Sequence, residues 1–244
     1  MRAPSFLKVA THSVMAGVLS LSVLVGSSSQ SPLRSQSVRT DVNIVIAIDC
    51  SYSVNSAEYR LQTRGIANAL LSPEVIEAIK GGPEGRVGLT VIQWSGPDVQ
   101  EVAIPWTAIG DAEDAYIVAD QMITAPRMTA EGVTAIGSAI AFAVELHQAA
   151  PFWAERQVID MQADGTSTWS RGVPIQQARD HAVRQGITVN GLPILNEVPF
   201  LHHYFENHVI GGPGSFIEIA DDYDAFADAI KRKLIKEIRG LSLS

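Results

Sequence analysis

The chain has a single cysteine, Cys50, in 244 residues, so no internal disulfide is available and its core alone must hold the fold together. It has no basic run. Its 18 Lys and Arg stand against 26 Asp and Glu, a formal charge of -8, which argues against nucleic-acid binding and favours solubility. The apolar run over 14–25 falls short of the roughly 20 residues a membrane span needs. No Lys-Ser or Lys-Thr follows the glycine-rich turn at 211–214, so a Walker-type phosphate cradle is not supported. No internal repeat or long low-complexity tract is visible.

What is present begins with an export pattern. Arg2 and Lys8 supply a positive start, 14–25 an apolar core, and Gly26, Ser27, Ser28 and Ser29 small residues for cleavage. This predicts a signal peptide over 1–29, a secreted or periplasmic destination, and no membrane span after cleavage; an uncleaved anchor is the alternative. With no cysteine after the apolar core, a lipid-modified amino terminus is not indicated. Residues 30–40 are polar and rich in Ser and Arg, as a linker would be. The remainder, 46% hydrophobic over the whole chain, suffices for one core, so 41–239 is expected to form one domain with a tail at 240–244.

Within that domain, β-branched runs alternate with stretches of helical periodicity. Strands are expected over 42–48, 86–94, 99–106, 156–163, 187–195 and, briefly, 216–220. Helices are expected over 57–71 with a continuation to 79, then 111–123, 134–149, 174–185 and a closing amphipathic one capped by Asp222 and running to 238. The short connection Ser95-Gly96-Pro97-Asp98 suits a hairpin. The pattern predicts an α/β fold: a doubly wound, mainly parallel sheet with one antiparallel edge strand and helices on both faces. Such sheets bind ligands beyond the carboxyl ends of their strands.

The first strand runs into Asp49-Cys50-Ser51-Tyr52-Ser53. Alternate side chains of an extended segment point the same way, so one carboxylate and two hydroxyls can converge on a single point. Three hard oxygen donors with little charge suit a hard cation that keeps its waters, such as magnesium. The alternative is that Asp49 or Ser53 merely caps the next helix. Strand alternation turns Cys50 back toward the core, away from any metal.

Two later stretches, Gly132-Val133-Thr134 and Ala163-Asp164-Gly165, complete a pattern that resembles the von Willebrand factor A domain and its metal-ion-dependent adhesion site. The resemblance spans about 41–239. Within it the chain is similar to an uncharacterised bacterial secreted branch (DUF1194-type), through Glu58-Tyr59-Arg60, Ala135-Ile136-Gly137, the 210–214 turn and the Lys-rich closing helix. It implies that Ser51, Ser53 and Thr134 contact Mg2+ or Mn2+ through hydroxyls, that Asp49 and Asp164 hold its waters, and that a protein partner presenting an acidic residue completes the shell. Tyr52 departs from the glycine many members carry, and 166–169 lacks the acidic residue expected soon after Asp164. Tyr52, Trp169 and Arg171 are the candidate partner contacts.

His202, His203, Glu206 and His208 fit no compact zinc spacing and read as a surface helix. Trp94, Trp106 and Trp153, at element ends, read as core. The run Asp221, Asp222 and Asp224 is explained by capping without calcium. The favoured function is an exported, non-enzymatic binding module. A metal-dependent hydrolase is the competing class, short of a His or Glu base in the motif loops, although Asp49 or Asp164 could serve. A metal-free scaffold is the second alternative.

Overall fold

The computed structural model describes residues 38–129, 132–168 and 171–240. The expected signal peptide, most of the linker, Trp169 and the tail beyond Gly240 lie outside the described residues.

The organising element is β1 (Arg39–Asp49), which begins two residues before the expected domain boundary. It pairs in parallel with β2 (Val87–Trp94) on one side and β4 (Trp153–Ala163) on the other. Sandwiched so, both faces of its central part are buried, which is why 44–48 is continuously apolar rather than alternating. Ile44, Ile46 and Ile48 enter one core, while Val45 and Ala47 enter the other. Burying an isoleucine side chain contributes roughly 1.5–3 kcal/mol, so β1 alone anchors both layers. The edge strand β3 (Gln100–Ile109) is antiparallel to β2, and β5 (Ile187–Pro193) is parallel to β4. The sheet order is β3-β2-β1-β4-β5, as the expected fold class requires.

Helices α1 (Ser56–Leu71), α2 (Pro73–Lys80) and α3 (Ala112–Thr124) pack on one face together with the closing helix, while α4 (Ile136–Gln148) and α5 (Ile175–Arg184) cover the other. Short α6 (Leu201–Tyr204) runs into a π-helical turn at Phe205–Val209, and α7 (Phe226–Arg239) closes the chain. None of the described helices is long and apolar enough to cross a membrane.

Several expectations need correction. Residues 216–220 form isolated parallel bridges, Gly191 to Ile217 and Ile194 to Ala220, rather than a sixth strand. The cause is Pro193. Gly191 donates to the Phe216 carbonyl and Leu195 to that of Ala220, but the rung between them needs an N–H that proline lacks. The closing helix starts at Phe226 with Ala225 at its cap; Asp222 instead accepts the Ala225 N–H at 2.8 Å and closes the preceding turn. Trp153 is 47% exposed, with the Arg39 guanidinium 3.9 Å above its ring, because it opens β4 at the unpacked end of the sheet. Trp94 is fully buried and Trp106 half-buried. The histidine segment puts Phe205 and Val209 into the core, and its polar groups pair separately, His203 with Glu206 and His208 with Gln176.

Candidate metal centre

Asp49 is the last residue of β1, and Asp164 directly follows the neighbouring β4. The crevice between these carboxyl ends is where the chain leaves the sheet in opposite directions, and two buried carboxylates enter it from adjacent strands. Asp49 Oδ1 accepts the Ser51 N–H at 2.7 Å, which folds the loop back over the strand end. The Ser51 and Ser53 hydroxyls are 3.2 Å apart, and Ser53 Oγ donates to Asp164 Oδ1 at 2.6 Å. Four of the five expected residues are thus linked by hydrogen bonds, Asp49 through the Ser51 backbone N–H and the rest through side-chain oxygens.

Thr134, 5% exposed, sits immediately before α4, whose cap is Ala135; Thr134 therefore precedes the helix rather than opening it. Its carbonyl accepts the Ser167 hydroxyl at 3.0 Å and the Thr168 N–H at 3.2 Å, and its own N–H donates to Thr168 Oγ1 at 3.2 Å. These bonds fasten it to the loop that carries Asp164. Its hydroxyl faces the Gly165 backbone, 3.8 Å from where a Cβ there would lie.

The capping alternative is removed by Asn55. Its side chain accepts the N–H groups of Ala57 and Glu58 while Glu58 accepts that of Asn55, a complete capping box that leaves Asp49 and Ser53 for the crevice. Cys50 is fully buried in the core shared with α1 and α7, and burial pushes its thiol up to about 12, so it offers neither a ligand nor a nucleophile.

Charge in the crevice is only partly balanced, by the guanidinium of Arg127. Burial first, and the neighbouring Asp164 second, push Asp49 up to about 7 against the opposing hydrogen bond from Ser51. Asp49 Oδ2 is buried without a hydrogen-bond partner. Two buried carboxylates, an orphaned oxygen and adjacent hydroxyls fit a hard divalent cation. Among the described residues no three His, Cys, Asp or Glu side chains converge; the donors gathered here are two carboxylates and two serine hydroxyls.

Two supporting residues are absent from the sequence reading. Arg127 donates to the carbonyls of Val54 at 2.8 Å, Cys50 at 2.5 Å and Ser51 at 3.2 Å, clasping the loop from outside. Tyr223 donates its hydroxyl to Asp164 Oδ2 at 2.9 Å. One sequence signal pointed toward the first. Gln93 is a buried amide inside a largely apolar strand, and it holds the 126–128 segment through the Pro126 carbonyl at 2.9 Å and the Met128 N–H at 2.6 Å. Of the candidate partner contacts, Tyr52 is 71% exposed and Arg171 is exposed.

Solved structures share this architecture. Proximal thread matrix protein 1 from the mussel byssus matches with a TM-score of 0.63 at 16% identity, covering 83% of this chain and 49% of that one. A further structure of that protein is described with zinc occupying its MIDAS motif, at a TM-score of 0.57 and 15% identity over 82% of this chain and 48% of that one. A von Willebrand factor type A structure from Catenulispora acidiphila matches at 0.58 and 16% identity, covering 82% and 43%. The vWF domain of the pilus tip protein Mfa5 from Porphyromonas gingivalis matches at 0.55 and 9% identity, covering 85% and 99%. At these identities the likeness shows the fold alone, which is that of a von Willebrand factor A domain, and the chain spans about half the length of the byssus protein. No curated protein matches it. A family model does match nearly all of the described segment, residues 39–242, and the chain belongs to that family, described as protein of unknown function (DUF1194).

Proposed function

We propose that this chain is an exported, non-enzymatic binding module that uses a divalent cation, magnesium or manganese, to engage an acidic group on a protein partner. Ser51, Ser53 and Thr134 supply neutral hydroxyls, and Asp49 and Asp164 supply the charge. A cation held by so few charges offers an electron-poor position to an external carboxylate. The observation that carries this reading is the buried, unpartnered Asp49 Oδ2 beside a second buried carboxylate, an arrangement that costs stability unless a positive charge joins it. Tyr52, Trp169 and Arg171 are the proposed rim contacts.

The fold neighbours include byssal and pilus proteins, which supports binding over catalysis and an extracellular setting for them. Export of this chain rests on the 1–29 leader pattern and is checked by sequencing the amino terminus of protein recovered outside the cytoplasm. The central test is thermal unfolding with magnesium, manganese or chelator. A cation at 100 times its Kd adds about 2.7 kcal/mol, and Ser51→Ala and Asp49→Ala should abolish the gain. An unchanged midpoint in all conditions would leave a metal-free scaffold. Turnover of an ester or phosphoester panel, lost in the same variants, would replace the binding reading with a hydrolase.

A further inference from the structure

A cavity of about 300 Å3 adjoins the candidate centre, its walls including Ser167, Arg171, Pro174, Gln176, Tyr204 and His208. Ser167 belongs to both places, since its hydroxyl donates to the Thr134 carbonyl and its N–H to the Tyr204 phenol oxygen at 3.3 Å. Because Tyr204 accepts that bond, its own O–H hydrogen remains to be donated. Arg171 is exposed and forms no ion pair among the described residues. Among the described residues no acidic side chain lines the cavity, whereas two other clefts carry Glu155 together with Asp41 or Glu237. In a chain of net charge -8, a cavity with one guanidinium and no carboxylate selects an anion.

The cavity is held at a fixed distance from Thr134. A Cβ at Gly137, in the first turn of α4, would lie 2.1 Å from the Val173 carbonyl, so the 172–174 loop rests directly on the helix that Thr134 precedes. Val173 N–H also donates to Ser138 Oγ at 3.4 Å. The two features share one rigid base.

We infer that the cavity is a second subsite for the same partner, which takes a carboxylate side chain near in sequence to the one that reaches the cation, so that the recognised segment carries two acidic residues. This rests on the proposed reading of the centre. A single guanidinium matches one carboxylate through two parallel hydrogen bonds, whereas a phosphate dianion would call for a second cation.

The test is calorimetry of the purified chain in magnesium with synthetic glycine-rich peptides that carry one aspartate, or two separated by one to five residues. At one spacing the two-acid peptide should bind at least about tenfold tighter, equivalent to 1.4 kcal/mol and beyond the twofold a second binding register gives. Arg171→Ala should weaken the two-acid peptide about tenfold more than it weakens the one-acid peptide, and Arg171→Lys should restore part of that difference. Equal affinity at every spacing, or an Arg171→Ala loss shared equally by both peptide types, overturns the second subsite while leaving the cation reading intact. If neither peptide type binds in magnesium, or if Ser51→Ala leaves both affinities unchanged, the cation reading itself falls and takes the inference with it.

Discussion

Ser53 and Asp164, 111 positions apart, are joined by a 2.6 Å hydrogen bond in which the serine donates, while Tyr223 secures the other oxygen of the same carboxylate. Asp164 is therefore positioned by neutral groups alone, with Asp49 as its charged neighbour. Asp164→Asn keeps an acceptor for Ser53 and removes the repulsion, so in chelator the variant should unfold at a higher temperature, by on the order of 1 kcal/mol. In magnesium the ranking should reverse, because the wild type gains binding energy that the variant has lost. A variant less stable in chelator that still responds to magnesium would contradict this account.

The Arg127 clasp predicts a defect of a different kind. Lysine keeps the charge but cannot offer a planar fork to three carbonyls, so Arg127→Lys should behave more like Arg127→Ala than like the wild type. Charge-assisted bonds contribute about 1.5–3 kcal/mol each, and water can replace part of this at a half-buried site, so a loss of roughly 2–4 kcal/mol is expected in urea unfolding with chelator present. The magnesium midpoint should also move to about tenfold higher concentration, since the loop that carries Ser51 and Ser53 is no longer held. Unchanged stability in chelator would show that the clasp is dispensable.

Much of this arrangement is legible in the sequence, for a reason that also explains the rest. The central strands β1 and β2 and the later half of β4 are largely apolar runs buried on both faces, and such runs need no tertiary information to be recognised. The Asp49, Ser51 and Ser53 spacing is equally local. Asp164 could be placed because the end of a parallel strand is a predictable location. Arg127 and Tyr223 act across 73 to 77 and 59 positions, and nothing in their neighbourhoods announces those contacts. The sixth strand failed for the opposite reason. Its own sequence suits a strand, and the obstacle is a single proline in its partner.

His147 supplies a pH dependence independent of the centre. Its Nε2 lies 3.0 Å from the Val158 carbonyl, so that nitrogen carries the proton, while burial pushes the pKa down from 6.5 to about 4. A base whose folded pKa is depressed contributes stability that is complete above 6.5 and is lost as pH falls toward 4. The contribution is about 3 kcal/mol at 1.36 kcal/mol per pH unit. His147→Gln, which can still donate to Val158, should flatten that limb when unfolding free energy is measured between pH 4 and 7. Parallel curves for the two proteins would place the acid sensitivity elsewhere.

Lys233 gives the opposite slope through its partners. Its ammonium, fully buried, lies 2.7 Å from Asp160 Oδ1 and 2.5 Å from Glu237 Oε1, so one positive charge faces two carboxylates in the core. Asn190 donates to Glu237 at 2.9 Å, yet burial, with Asp160 adding to it, pushes Glu237 up from 4.5 to about 7. For an acid raised on folding, the folded state holds the extra proton; the contribution is complete below 4.5 and is lost as pH rises through 7. Glu237→Gln keeps the shape and one acceptor, leaves Lys233 paired with Asp160, and cannot lose a proton. Relative to the wild type it should therefore gain stability between pH 4.5 and 8, by on the order of 1–3 kcal/mol, as read from chemical unfolding at each pH. Lys233→Met should instead cost about 3–5 kcal/mol at neutral pH, because it strands both carboxylates. If Glu237→Gln loses ground as pH rises, the lysine and not burial governs the glutamate, and the triad is an ordinary ion pair.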